Sequence, residues 1–120
     1  MYSILYVIGA VVPPSNVRAQ TLNSTAIFIE WNVVDGFCRL RNGLITSYSI
    51  KHTEQPNGTP QIIDQVISLN FTLNGLTPFT EYSIEVAAVN EVGGVGVYSD
   101  PQVAMTLQAR MSIIYLNSIS

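Results

Sequence analysis

Residues 73–90, LNGLTPFTEYSIEVAAVN, narrow the range of possible folds more than any other stretch of the chain. A turn-prone Asn74-Gly75 pair, an apolar Leu76 and the fixed dihedral of Pro78 lead into a run where Tyr82, Ile84, Val86 and Ala88 occupy every second position. Apolar residues at a period of two turn one side of an extended strand toward a core. The other side, Ser83, Glu85, Ala87 and Val89, is only half polar, which predicts a strand in the middle of a sheet. Every other strand has to pair with this one or face it.

Earlier in the chain, Pro13-Pro14 mark the entry to an irregular first strand at residues 16–22, with Val17 inward. From Thr25 the alternation is clean: Ile27, Ile29 and Trp31 fall on one face, Ala26, Phe28 and Glu30 on the other. Trp31, the largest side chain present, is expected in the core. Residues 44–53 form the next strand, with Tyr48, Ile50 and His52 on a common face. Two shorter strands follow, one around Ile62, Ile63, Val66 and Ile67, the other at Phe71 and Leu73. Beyond Asn90 a glycine-rich hairpin loop at residues 91–97 leads to a last strand at residues 98–107. Turn-forming pairs separate these segments, and no helical period occurs among them. Seven strand-like segments of this spacing predict an all-β antiparallel sandwich.

A chain of 120 residues holds one core comfortably. Residues 13–108 are expected to be the domain. Residues 1–12 then form an upstream remnant or weak signal-like segment, and residues 109–120 a tail or the start of a following segment. The apolar run at residues 4–12 falls far short of the ~20 residues that span a bilayer, has no basic residue ahead of it and meets Pro13-Pro14. The formal charge is −3, with Arg18, Arg39, Arg41, Lys51 and Arg110 scattered, which argues against nucleic-acid binding. A lone Cys38 forms no internal disulfide. Asn-x-Ser/Thr sequons at Asn23, Asn57, Asn70 and Asn117 are candidate N-glycosylation sites and favour a secretory history.

Catalytic chemistry has little to work with. No two carboxylates fall together on an inward face, and a sandwich filled by its own side chains leaves no pocket to hold such a pair. His52 is the only histidine, too few for a zinc site or a nucleophilic relay. Gly93, Gly94 and Gly96 lack the spacing and the following helix of a phosphate loop. No catalytic residue, metal or cofactor is expected. Phe37, Arg39 and Arg41, on the loop after Trp31, together with Val92, Val95 and Val97, form a candidate binding rim at one end of the sandwich. Alternatively, Phe37 simply covers the open end of the core.

Several of these residues resemble the signature of the fibronectin type III domain. They are the early proline, Trp31, Asn42-Gly43 with Ile45 and Tyr48, the run from Leu76 through Pro78 to Tyr82, then Val86, Ala88 and Asn90, and Gly94-Val95-Gly96 with Ser99. The resemblance covers residues 13–107 and implies an immunoglobulin-like sandwich of seven strands with Trp31, Tyr48, Leu76, Pro78 and Tyr82 in its core. It further implies that Tyr82 is a corner tyrosine whose hydroxyl bonds back to the backbone upstream. A tyrosine on an inward face needs such a partner in any case. The chain departs from the pattern at His52 and in the Cys38-containing loop. It carries neither an Arg-Gly-Asp triplet nor a Trp-Ser-x-Trp-Ser box. In character it resembles repeats of receptor tyrosine phosphatases, receptor kinases and neural adhesion molecules. The implied role is a non-catalytic extracellular interaction or adhesion module of a larger protein, contacting a protein partner or neighbouring domains. The alternative is a passive spacer in a tandem array, extracellular or within the cytosol as in muscle filaments.

Overall fold

The computed structural model describes residues 12–33, 45–90 and 94–109. Within them the alternating segments form strands β1 (Arg18–Thr21), β2 (Ile27–Glu30), β3 (Ile45–Glu54), β4 (Gln61–Val66), β5 (Asn70–Leu73), β6 (Glu81–Asn90) and β7 (Gln102–Met105). Two antiparallel sheets result, with strand orders β1-β2-β5 and β4-β3-β6-β7. β6 lies inside its sheet, hydrogen-bonded to β3 from Asn90 to Tyr82 and to β7 along its first half. The all-β sandwich anticipated from the alternation is therefore the architecture observed.

Its core is the sum of the inward faces. Ile27, Ile29 and Leu73 from the smaller sheet meet Tyr48, Ile50, Ile84, Val86 and Ala88 from the larger, all fully or nearly fully buried. Burying each large aliphatic side chain stabilises the fold by about 1.5–3 kcal/mol. Trp31 follows β2 directly and keeps 2% of its surface exposed, its ring tilted at 60° against Tyr48 with centroids 5.4 Å apart. Its indole N–H is buried without a hydrogen-bond partner among the described residues. The indole therefore contributes area and shape, and its polar edge is a cost.

The crossover from β5 to β6 is held by a chain of hydrogen bonds. Gly75 takes φ 71°, a left-handed conformation that a side chain would strain, and turns the chain so that Leu76 tucks under the sandwich. The Leu76 amide donates to the Thr25 carbonyl at 3.0 Å. Tyr82 keeps 4% exposure, and its hydroxyl accepts the Thr77 amide at 2.9 Å. Behind it the buried Thr106 hydroxyl donates to the Thr77 carbonyl at 2.7 Å and accepts the Thr80 amide at 2.9 Å. Pro78 is only partly buried, and its carbonyl accepts the Thr80 hydroxyl at 2.8 Å.

Two strands depart from the alternation. The last is shorter than residues 98–107, because Pro101 has no N–H for the ladder. In its place the Ser99 amide donates to the Val86 carbonyl at 2.8 Å, while the Val86 amide donates to the Ser99 hydroxyl at 3.0 Å. β4 stops at Val66, leaving Ile67 83% exposed.

Truncating Trp31 to alanine is expected to cost about 3–5 kcal/mol in urea unfolding, and Trp31→Phe clearly less, since no hydrogen bond is lost with the indole N–H. Equal losses for the two variants would mean that the N–H is paired. Tyr82→Phe keeps the ring but strands the Thr77 amide, and should cost about 1–3 kcal/mol by the same measurement. An unchanged midpoint would show that the corner hydroxyl carries no stability.

Candidate interaction surface

The carboxylates of the described residues are spread apart. Glu30 faces Arg18 at 3.4 Å on an exposed surface, and Glu85 faces Lys51 at 3.7 Å. No group of three or more His, Cys, Asp or Glu side chains that could hold a metal occurs among the described residues.

The outer face of the larger sheet carries an ordered polar strip. Tyr48 pairs with Val66 and Ile50 with Ile63, so β4 takes three steps where β3 takes two. The extra residue is accommodated at Gln65, whose φ is 61°. Near this irregularity the Ser49 hydroxyl donates to Asp64 Oδ1 at 3.2 Å and lies 2.9 Å from the Tyr98 phenol. A carboxylate only accepts, so the proton order runs from Tyr98 to Ser49 to Asp64. Lys51 completes the strip, its Nζ 4.5 Å from the Tyr98 ring centroid. Beside the strip lies an open depression of about 400 Å³ lined by Thr46, Asp64, Gln65, Val89, Asn90 and Val95. A second groove, of about 520 Å³, runs between Pro13, Pro14 and Val17 on one side and Val97, Tyr98 and Asp100 on the other. Sequence reasoning missed both: the register slip that aims Asp64 at Ser49 leaves no mark on the alternation, and the second groove joins segments eighty or more residues apart in the chain.

Of the expected rim, the structure places Val95 and Val97, which are 51% and 57% exposed. Val95 bridges to Val89, and its loop is pinned where the Gly94 amide donates to Asn90 Oδ1 at 2.9 Å. Phe37, Arg39, Arg41 and Val92 lie outside the described residues, as do Cys38 and Asn117. Three sequon asparagines, Asn23, Asn57 and Asn70, are exposed. Asn23 Oδ1 accepts the Thr25 amide at 2.8 Å and its hydroxyl at 3.3 Å.

His52 is partly buried on the inward side of β3, its ring 6.2 Å from that of Tyr82. Burial lowers its pKa below the ordinary 6.5, because the charged imidazole is poorly solvated there. The folded protein then takes up this proton less readily than the unfolded chain. The stabilisation is complete above pH 6.5 and declines as pH falls below that value through the folded pKa. Urea midpoints of the wild type are expected to drop relative to those of His52→Phe between about pH 7 and about pH 5. Parallel curves would mean that the histidine is solvated.

Comparison with known proteins bears on this geometry. Residues 12–104 match the family model described as the fibronectin type III domain. The chain is 36% identical over 103 residues to receptor-type tyrosine-protein phosphatase F of Mus musculus, covering 81% of this chain and 5% of the relative. It is 38% identical over 94 residues to neogenin of Homo sapiens, covering 78% of this chain and 6% of the relative. Among solved structures, the FN5 domain of Drosophila Lar superposes with a TM-score of 0.64 at 35% identity, covering 82% of this chain and all of that one. The chain thus spans about a twentieth of the length of these two curated relatives.

Proposed function

The chain belongs to the fibronectin type III family, and on that premise we propose that it is an interaction and adhesion repeat in the extracellular part of a larger receptor. The observation that carries this reading is the likeness of most of the chain to receptor proteins of which it matches only a short stretch. The fibronectin type III fold is non-catalytic, and the described core is closed by its own side chains. Recognition then falls to the surface, with Val95, Val97 and the adjoining depression as the contact, extended by Phe37, Arg39 and Arg41 of the loop after Trp31. Apolar side chains exposed beside polar groups suit a protein partner.

A second reading, as a spacer, draws on the opposite end. There Leu22, Phe79 and Leu107 are 47%, 58% and 53% exposed, and the Phe79 and Leu107 amides donate to the Leu107 and Asn23 carbonyls. Such a patch suits contact with an adjoining domain.

A soluble dimeric fusion of the chain is expected to stain intact cells bearing a partner, and the double substitution Val95→Asp with Val97→Asp to reduce the staining at least about tenfold, the equivalent of 1.4 kcal/mol. Undiminished staining would remove this rim from the interface and favour the spacer. Location has its own test. An epitope tag placed next to residue 108 of the full gene product should be reachable by antibody on unpermeabilised cells, and a tag reachable only after permeabilisation would end the extracellular reading.

A further inference from the structure

Asn70 opens β5, the outer strand of the smaller sheet, and pairs with Glu30 of β2. Phe71 and Leu73 pack on the core, so alternation turns Asn70 and Thr72 to the outer face. Asn70 is exposed, and its side-chain amide has no hydrogen-bond partner among the described residues. On the same face, Phe28 of β2 sits opposite Thr72 on one side and Gln20 of β1 on the other. Phe28 is partly exposed and has no ring partner among the described residues. It is therefore the diagonal neighbour of Asn70, a relation that spans about 7–8 Å between strands and lies within reach of long side groups. An apolar ring at the centre of an otherwise polar outer face is left partly open to solvent, and the sequon residue beside it is positioned to carry a cover for the part that remains.

We propose that Asn70 carries an N-linked glycan whose first N-acetylglucosamine lies across the ring of Phe28. The setting rests on the extracellular reading given above. In the transfer, Asn70 Nδ2 forms a bond to C1 of the reducing-end N-acetylglucosamine of a polyprenyl-pyrophosphate oligosaccharide. The C1–O bond to phosphate breaks, the lipid pyrophosphate leaves, and the amide gives up one proton to the transferase's base. The sugar's C–H face then meets the aromatic face, removing apolar surface from water and adding dispersion contacts. The other described sequons lack this arrangement: Asn23 sits in the turn before β2 with its Oδ1 engaged by Thr25, and Asn57 sits on the connection from β3 to β4.

The test uses the full chain secreted from mammalian cells behind an added leader, with Asn23, Asn57 and Asn117 changed to glutamine. Intact mass before and after amidase treatment reads occupancy, and an endoglycosidase trims the glycan to one sugar. The expected result is an occupied Asn70, with the one-sugar form melting about 2–6 °C above its Asn70→Gln counterpart. In a Phe28→Thr background, where the site remains occupied, that increment should vanish. An unoccupied Asn70, or an increment that persists without Phe28, overturns the proposal. Because the leader supplies secretion, either failure falls on this site, whereas failure of the extracellular reading appears only in the tag-accessibility experiment.

Discussion

The pairing of β3 with β6, from Ile45 opposite Asn90 to Glu54 opposite Tyr82, is the constraint from which the rest of the structure follows. It joins the two longest strands, and one side of the joined pair presents Tyr48, Ile50, Tyr82, Ile84, Val86 and Ala88 as a continuous buried wall. Registry leaves little freedom here, since a slip of one residue would turn that entire set outward. The smaller sheet contributes Ile27, Ile29, Leu73 and Trp31 to the same volume. The corner hydrogen bond from Thr77 to Tyr82 then fixes how the chain passes from one layer to the other.

The layers and their inward residues were legible because the physics that writes them is periodic. Tyr82 through Val86 and Ile27 through Trp31 alternate without interruption, as half-buried antiparallel strands do, and only at Ala87, buried on the other face, does β6 depart from the pattern. The features that escaped are aperiodic. At Gln65 one extra residue rotates β4 and sends Asp64 to Ser49. At Ser99 a side-chain hydroxyl replaces a backbone acceptor, so a segment that reads as strand is held to β6 without joining its ladder. Each depends on a contact between segments distant in the chain, and local spacing carries no record of such contacts. The candidate rim was readable only as exposed apolar residues on a loop. That places Val95 and Val97 correctly at the surface but says nothing of the adjoining depression, whose walls come from β3, β4 and β6.

The two sheets present different outer faces. On the larger, Tyr98, Ser49 and Asp64 form a hydrogen-bonded chain flanked by the Lys51–Glu85 pair, and the exposed Asp64 keeps free acceptor capacity toward the adjoining depression. On the loop beyond β6, Val95 and Val97 leave apolar surface exposed beside that depression. On the smaller, the Arg18–Glu30 pair is exposed and weak. Its most distinctive element is Phe28, an aromatic ring where the alternation calls for a polar residue.

The broken ladders at Gln65 and Ser99 have a consequence for life in a crowd. They lie on the two margins of the larger sheet, where a straight, unpaired strand would template pairing with any similar chain. The kink at Gln65 cuts short the run of matching donors and acceptors on one margin, and Pro101 withholds an amide just before β7 on the other. Interrupted margins of this kind make strand exchange across the larger sheet less favourable when a similar domain lies alongside.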